Sequence, residues 1–533
     1  MKKTIFIFLS LVIFSTIFSS FIGCSKNNSK IAAVEFSDVK AVADMNAYAS
    51  EVVKNGISND DPLENGTVIC PYYTLKVNDI NVPVYSTRVT HGIHSFAWID
   101  VESSDILLNV TLNLNNAHNR VDVLPLSSNI KASIANNVVK TKITSLGSFS
   151  FSFDNDPNSE ALTIFVSNKQ ELEVPKDYVT QSIEPGEYTA QDLNFTQGQT
   201  VYHFKSGRYK ITSINIPSNS IIYFERGCYI EIYQNTINDY VSAFISRETN
   251  NIKIIGRCLV DFSACVGGDK KTKGAFDFFQ VNNFEFSGIV SINSNNWTLC
   301  FTYSKNVNIN NCMFFGYRTY SDGIMLSDCQ DSGASNCFLR TGDDATEIKS
   351  TGPSNKDDCF TDNVTYQNIA VWTDKASAFG AIYEANNKAQ NITFKNCSVG
   401  YAQPTWTERL GCVVVQMGDN KAAVWENIHF ENIEVFKNEC ALINIHLNDR
   451  DGTEGGQAKN LFFKNITSKT CYGLPVRISI SQNCRLGQVY LDNIVFGKHT
   501  ITQEDINDSS IISVLDANNN WSPSMNIKIN TQN

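Results

Sequence analysis

Asn306-Val-Asn-Ile-Asn-Asn-Cys312 is the first of seven related phrases in the second half of the sequence. The others are Asp331-Ser-Gly-Ala-Ser-Asn-Cys337, Asn363-Val-Thr-Tyr-Gln-Asn-Ile369, Asn391-Ile-Thr-Phe-Lys-Asn-Cys397, Asn427-Ile-His-Phe-Glu-Asn-Ile433, Asn460-Leu-Phe-Phe-Lys-Asn-Ile466 and Gln488-Val-Tyr-Leu-Asp-Asn-Ile494. The second Asn of the phrase returns every 25 to 36 residues. A period of this length indicates a solenoid in which each repeat stacks on the one before it.

Apolar and polar residues alternate inside each phrase, which is the pattern of a β-strand with one buried face. One short strand cannot bury that face alone, so the coils must stack about 4.8 Å apart. The recurring Asn suits a turn in which side-chain amides bond from coil to coil. Gly227, Gly256 and Gly288 hold the same place in a weaker form of the pattern, so the solenoid should begin near residue 185. The predicted fold is all-β, with a right-handed parallel β-helix of about ten coils over residues 181–533.

Residues 62–180 show a different pattern, in which alternating strands such as those within 73–85, 95–101, 106–112 and 162–166 are joined by Asn, Asp and Ser turns. This pattern predicts a small β-sandwich in front of the β-helix. We expect it to cap the exposed first edge of the solenoid. An independent sugar-binding module is the alternative.

The N-terminus has the features of an export signal. Met1-Lys2-Lys3 is followed by an apolar run from Ile5 to Ile22, and Gly23 stands directly before Cys24. We therefore predict a lipoprotein-type signal peptide at 1–24, lipidation of Cys24, a polar tether at 25–61, and an exported, membrane-anchored lipoprotein. A plain cleaved signal and an uncleaved anchor are the alternatives.

Composition limits the partners of the chain. The 533 residues are 42% hydrophobic and carry a net charge of -11 with no basic stripe, which argues against a nucleic-acid partner. Fifteen cysteines lack zinc-type spacing, and several recur at equivalent places in the repeats, so we interpret most of them as buried core residues. We expect a monomer.

Two acidic phrases stand in consecutive coils, Tyr320-Ser-Asp-Gly-Ile324 and Thr341-Gly-Asp-Asp-Ala345. Asp322 and Asp343 are 21 residues apart, close to one coil, so their carboxylates should stack on the same side. Glycoside hydrolysis needs one protonated carboxyl group and one ionised carboxylate, and burial with mutual repulsion separates the pKa values of such groups. Asp343 and Asp344 can share this site only if the backbone turns between the strands, which Gly342 permits.

These phrases, together with Asn296-Trp297, Asn306-Val307 and Ile348-Lys349, resemble the core of the β-helical glycoside hydrolases of families 28 and 49, the polygalacturonases and the dextranases. Both families use three aspartates and invert the anomeric centre. The resemblance implies that Asp343 is the general acid and that Asp322 and Asp344 orient and deprotonate the attacking water. Inversion then implies carboxyl separations of about 6.5–9.5 Å, which leave room for that water.

Departures from the polygalacturonase pattern concern the substrate. Polygalacturonases carry Gly-His-Gly in the next coil and a uronate-binding Arg-Ile-Lys beyond it. Here 378–384 reads Ala-Phe-Gly-Ala-Ile-Tyr-Glu, without histidine, and no Arg-Ile-Lys follows. The sandwich and the phrase Val414-Val-Gln-Met-Gly418 look more like the family 49 dextranases and isopullulanases, whose substrates are neutral α-glucans. The resemblance thus implies cleavage of an α-glucan such as dextran, with pectin hydrolysis of the polygalacturonase type as the alternative.

Aromatic, cationic and polar side chains near the acids are candidates for substrate binding, because rings stack on sugars and charges hold hydroxyl groups. They are Trp297, Arg318, Tyr320, Arg340, Lys349, Glu384 and Gln416. Each of them could instead serve core packing or a link between coils. The sequence shows no metal-spaced His, Cys and Asp cluster and no phosphate loop, so no metal and no cofactor is predicted.

Two further readings stay open at this stage. A polysaccharide lyase would need a base beside a uronate and would give an unsaturated product. A non-catalytic, glycan-binding surface solenoid would use the acids only as corner caps, as we expect for Asp357-Asp358.

Overall fold

The computed structural model describes residues 31–42, 48, 63, 65–103, 106–156, 160–193, 195, 198–233, 242–266, 274–352, 360–405, 409–418, 422–448, 455–515 and 526–530. Most of these residues are in β-strands, and two short 3₁₀ helices span Leu126–Ser128 and Gln503–Asn507. No helix formed by the described residues has the length and apolar character that a membrane crossing requires. The predicted signal peptide with Cys24, and the Asp357-Asp358 loop, lie outside the described residues.

Two sheets form the β-sandwich. Sheet A contains Ile31–Ala33, Lys40–Ala41, Thr67–Ile69, Tyr85–Val89, Gly92–Val101, Val121–Leu124, Gly147–Phe153 and Ala161–Asn168. Sheet B contains Tyr73–Val77, Ile80–Val82, Leu108–Leu114, Ala132–Ala135 and Val138–Ile143. The apolar faces of the two sheets share one core, in which Leu75, Leu112, Phe151 and Ile164 are almost completely buried.

The predicted tether at 25–61 is wrong for the part that the structure describes. Ile31–Ala33 pairs with Gly92–Val101, and Lys40–Ala41 pairs with Thr67–Ile69, so both strands belong to sheet A. Val34 and Phe36 are buried, at 0% and 6% exposure. The apolar residues of this segment alternate well enough to join a sheet, whereas a tether would leave them in water.

Two long parallel sheets form the β-helix. Sheet C contains Val179–Ile183, Gly186–Tyr188, Thr200–Phe204, Arg208–Ile211, Ser220–Ile232, Asn250–Asp261, Asn282–Ser287, Ile289–Ile292, Lys305–Asn310, Met313–Phe315, Gln330–Ser335, Phe338–Thr341, Thr361–Gln367, Ala370–Thr373, Ala389–Ala402, Val424–Asn438, Gln457–Cys471, Arg485–Leu486, Val489–Phe496, His499–Thr500 and Ile527–Asn530. Sheet D contains Ile214–Asn215, Phe244–Arg247, Phe276–Phe279, Leu299–Thr302, Ile324–Ser327, Thr346–Ser350, Phe379–Ala385, Gly411–Met417, Ala441–Leu447, Val476–Ile480 and Ile512–Leu515. The predicted class, an all-β chain with a sandwich before a parallel β-helix, is confirmed.

The recurring Asn stands at a left-handed bend in sheet C, between two strands in the first three phrases and inside one long strand in the other four. Its φ is between 51° and 55° in all seven phrases, a conformation that Asn tolerates better than most residues. Gly227, Gly256 and Gly288 also have positive φ at the equivalent turn. The amides bond from coil to coil, as in Asn465 donating to Asn432 at 2.8 Å and Asn493 donating to Asn465 at 3.0 Å. This confirms the predicted amide ladder.

Cysteines help to fill the core of the β-helix. None of the thirteen cysteines that the structure describes forms a disulfide bond, and only Cys471 among them is partly exposed. Cys312, Cys337 and Cys397, which follow the recurring Asn, are in the same apolar cluster. Their interpretation as small buried core residues is confirmed for these positions.

The sandwich lies along the flank of the β-helix. Val89, Phe96 and Trp98 of sheet A pack against outward-facing apolar residues of sheet C that run from Tyr229 to Phe436. The prediction that the sandwich caps the first edge is therefore wrong. The physical reason is that several successive coils carry apolar side chains on the outside, and their burial requires a covering layer.

One histidine of the sandwich, His118, lies between two acidic residues, and this arrangement predicts how stability depends on pH. His118 Nδ1 is 3.0 Å from Asp154 and its Nε2 is 2.9 Å from Glu160. Burial lowers the pKa of His118, but the hydrogen bonds with Glu160 and Asp154 outweigh it, so the pKa stands above its usual value. The resulting stabilisation is complete below about pH 6.5 and is lost as the pH rises through the folded-state pKa.

We therefore expect the thermal midpoint of the wild type to fall relative to His118→Gln by about 1–3 °C between pH 6 and pH 9. Calorimetry over a pH series measures the difference. A constant difference between the two proteins across that range would contradict the assignment.

Candidate active site

The three aspartates meet where consecutive coils pass into sheet D. Asp322 precedes the strand Ile324–Ser327, and Asp343 with Asp344 precedes Thr346–Ser350. These two strands are neighbours, with Ile324 opposite Thr346. One carboxylate oxygen from each aspartate lies within 4.8 Å of the other two. The structure thus brings together the acids that the coil spacing predicts.

A bend between two strands lets Asp343 and Asp344 reach the same site. The strand Phe338–Thr341 of sheet C ends just before it. A Cβ atom on Gly342 would lie 2.3 Å from the carbonyl oxygen of Arg318, so only glycine fits this close approach. The N–H groups of Tyr320 and Asp344 donate to the Asp343 carboxylate at 3.2 and 3.0 Å. Backbone groups therefore fix the orientation of Asp343 in the turn.

One carboxylate oxygen of each aspartate lies within 4.8 Å of the other two, which is a distance between single oxygens. The expected separation of about 6.5–9.5 Å refers to whole carboxyl groups and stays a prediction. Asp322 and Asp343 lie on consecutive coils, which stack about 4.8 Å apart, whereas Asp343 and Asp344 follow each other in the bend of one coil.

Glu347 is a fourth carboxyl group in the site that the sequence analysis missed. It is fully buried, and its side chain contacts Asp322. Lys349, on the same face of the strand, places its Nζ 3.3 Å from Glu347 and 2.7 Å from Glu384. The signal was available in the sequence, since residues two apart on a strand share a face.

Solved structures with a similar fold include carbohydrate-active enzymes. Dex49A from Penicillium minioluteum has a TM-score of 0.68 at 12% identity over 94% of this chain and 99% of its own. An exopolygalacturonase from Thermotoga maritima has a TM-score of 0.47 at 14% identity, over 62% of this chain and 94% of its own. A polygalacturonase from Erwinia carotovora has a TM-score of 0.45 at 14% identity, over 68% and 99%. At 12% identity the likeness to Dex49A concerns the fold.

A family model described as Glycosyl hydrolases family 28 matches residues 249–510, a range that contains the three aspartates and Lys349. The chain belongs to the β-helical glycoside hydrolases. Among curated proteins none matches the sequence. The identity of the polymer that this hydrolase cleaves must therefore be argued from its own site.

Burial is the largest influence on the acids of this hydrolase. It raises the pKa of Asp322 and Asp344 well above the usual value, and the charges of Glu347 and Asp343 add to the effect. Burial also raises the pKa of Asp343, against the Asp344 and Tyr320 N–H groups and the charge of Lys349. A cluster of this kind keeps part of its carboxyl groups protonated at neutral pH, which a general acid requires.

Lys349 of the hydrolase remains a cation despite its burial. Burial lowers its pKa, but Glu347 and Glu384 outweigh it and hold the pKa well above the usual value. Its Nζ also lies 4.9 Å from the centre of the Trp297 ring. Lys349 therefore ties two glutamates and one aromatic ring of the site together.

Two cationic candidates for substrate binding face away from the site. Arg340 is completely buried, pairs with Asp374 at 3.1 Å and contacts His94 of the sandwich at 3.0 Å. Arg318 is also completely buried and donates to the Cys265 carbonyl oxygen at 2.7 Å. The prediction that these arginines bind substrate is wrong, because both side chains are buried and bond to other parts of the protein.

The remaining candidates stay predictions. Tyr320 is 37% exposed and Trp297 is partly exposed, and both flank the acids. Glu384 is partly exposed beside Lys349. Gln416 is only 3% exposed and lies opposite Ile382 in sheet D, beyond the coil of the acids.

The three aspartates could also bind one metal cation. They offer three oxygen ligands, whereas Ca²⁺ takes six to eight. Raised pKa values also make protons strong competitors for these oxygens. The arrangement is better suited to acid–base chemistry, and the expected lack of a metal stays a prediction.

Proposed function

We propose that this hydrolase cleaves a neutral polysaccharide, an α-glucan such as dextran, with inversion of the anomeric centre. Asp343 is the general acid in this proposal, and Asp322 and Asp344 hold and deprotonate the water. The observation that carries it is the convergence of the three aspartates within 4.8 Å on adjacent coils. The charges around the three aspartates support a sugar without a carboxylate group.

Charge in the site supports a neutral substrate. Lys349, a buried cation within the cluster, already faces the two carboxylates of Glu347 and Glu384. A uronate would bring a further negative charge toward five carboxyl groups, and like charges at such distances repel strongly. The coil after next presents Val414 and Gln416, neither of which carries a charge for binding a carboxylate.

Inversion is compatible with the short spacing because three acids are present. A water molecule can bridge two carboxyl oxygens that are less than 5 Å apart through hydrogen bonds of about 2.7–2.8 Å, donating to a carboxylate and accepting from a protonated carboxyl group. Asp322 and Asp344 can therefore share one water while Asp343 protonates the leaving oxygen. Asp343 has the most solvent-exposed side chain of the three aspartates, which suits a group that must reach the glycosidic oxygen.

The family 28 model favours a second candidate, hydrolysis of polygalacturonate. Dextran, pullulan, polygalacturonate and mixed plant glycans should therefore be tested side by side by reducing-end assay and chromatography. Proton NMR of the first product gives its anomeric configuration. We expect cleavage of an α-glucan with inversion.

The other outcomes are equally definite. Cleavage of polygalacturonate alone would overturn the neutral-substrate proposal, and retention would make an aspartate the nucleophile. An absorbing unsaturated product would indicate a lyase. If the wild-type protein binds a polymer but releases no product from any of them, the proposal that it hydrolyses these polymers is wrong.

We also propose that the protein is an exported monomer anchored through lipid on Cys24, which rests on the signal-like N-terminus. Labelling with a radioactive fatty acid tests the anchor. We expect label on the wild type and none on Cys24→Ala. Equal labelling of both proteins would contradict the anchor at this position.

A further inference from the structure

Glu347 and Asp322 form a buried pair of carboxyl groups in contact with each other. Oδ2 of Asp322 and both carboxylate oxygens of Glu347 are buried and accept no hydrogen bond from the residues that the structure describes. The Lys349 contact with Glu347, at 3.3 Å, is an ion pair without hydrogen-bond geometry. Buried acceptors in contact with each other are costly unless a proton lies between them.

Two carboxyl groups in contact cannot both be ionised in a buried site, so the pair shares one proton at neutral pH. Lys349 stands beside Glu347 and favours the ionised form of that group. The contact with Glu347 and burial both raise the pKa of Asp322. The shared proton thus rests on Asp322, which leaves the predicted base protonated.

We propose that Glu347 is a positioning residue that receives the proton of Asp322 when Asp322 deprotonates the attacking water. This inference rests on the proposed function. One oxygen of Asp322 takes a proton as the O–H bond of water breaks. The proton already on its other oxygen passes to Glu347, so one O–H bond forms for each that breaks.

The relay explains how a protonated aspartate can act as a base. Asp322 stays neutral throughout. Glu347 loses its negative charge when it receives the proton, and Asp343 takes on a negative charge when it protonates the leaving oxygen. After the product leaves, a proton returns from the pair to Asp343, whose oxygen lies within 4.8 Å of Asp322. Each turnover therefore ends with the initial protonation state.

The environment of the pair is rich in titratable groups. Those that face it are Cys300, Asp343, Asp344, Lys349, Tyr366 and Glu384. Lys375 acts on Asp343. A test must therefore separate Glu347 from a general change of charge in the site.

Infrared titration of the full-length protein tests the shared proton without any substrate. We expect a carboxylic-acid band at neutral pH in the wild type that is weaker in Asp322→Asn. In Glu347→Gln its midpoint should move down by about one pH unit or more, because a like charge is removed. Glu384→Gln is the matched control, since Glu384 contacts Lys349 as well, and it should move the midpoint less than half as far.

Solvent isotope measurements on the polymer that the wild type cleaves test the relay. Rates in mixtures of H₂O and D₂O should curve more strongly for the wild type than for Glu347→Gln, because the relay adds one moving proton to those of the water and Asp343. We expect kcat to fall about 10–100-fold with KM nearly unchanged, less than the loss of a full general base. Glu347→Asp should restore part of the curvature.

Several results would overturn the inference. They are an unchanged infrared midpoint in Glu347→Gln, equal shifts in Glu347→Gln and Glu384→Gln, or a linear isotope plot for the wild type. A wild type that cleaves no polymer overturns the proposed function instead, while the infrared titration still decides whether the proton is shared. Asp322→Asn, whose amide can donate to Glu347, provides the infrared answer if Glu347→Gln does not fold.

Discussion

Asp343→Asn is expected to lower kcat/KM of the hydrolase about 10²–10⁴-fold, the usual contribution of a general acid. An amide cannot release a proton to the leaving oxygen, although it fills the same volume. Asp343 accepts two backbone hydrogen bonds, so the substituted side chain should keep its place in the turn. Reducing-end release from the cleaved polymer measures the loss.

The nature of the leaving group separates an acid from a base. An aryl glycoside with an acidic phenol needs little protonation, so Asp343→Asn should lose far less activity on it than on the polymer. Asp344→Asn, at the proposed base, should lose activity equally on both substrates. Asp79→Asn, at an exposed turn of the sandwich, is the control and should match the wild type. Retention of most polymer activity by Asp343→Asn would remove Asp343 from the acid role.

Arg340→Ala is expected to lower the free energy of unfolding by about 3–5 kcal/mol. Arg340 and Asp374 are 0% and 1% exposed, and the arginine donates to both carboxylate oxygens at 3.1 Å. Removal of the arginine leaves the Asp374 carboxylate buried with its charge uncompensated. The contact between Arg340 and His94 of the sandwich is lost as well.

Urea unfolding followed by two probes measures this loss, because a chain of this size need not unfold in one step. Arg120→Ala is the matched control, since Arg120 pairs with Asp122 on the surface and its side chain is 48% exposed. We expect it to cost less than about 1 kcal/mol. Equal costs for the two variants would show that the buried pair adds nothing specific.

The residues that repeat were the ones that could be predicted. The recurring Asn marks a left-handed turn whatever surrounds it, because the requirement is local. The convergence of Asp322 and Asp343 followed in the same way from the coil length. Both predictions needed only the backbone path.

Predictions that depended on the surroundings of a strand failed. Leu339 and Arg340 alternate as expected, but the sequence does not reveal that a second unit covers the outer face on which Arg340 lies. The sequence therefore predicts a substrate contact for Arg340 that the structure does not form. Glu347 lies in the strand that follows the Gly-Asp-Asp phrase, so the phrase alone does not identify it.

The order in which the chain is made gives the flank position of the sandwich a further meaning. Phe96 and Trp98 are synthesised long before Phe338, Trp372 and Phe436, which later cover them. Until then one face of a folded sheet stays apolar and exposed to solvent, a condition that favours aggregation. The two units are therefore poor candidates for separate expression. In the nascent protein, the coils of the β-helix must cover the apolar face of the sandwich before other unfolded chains bind to it.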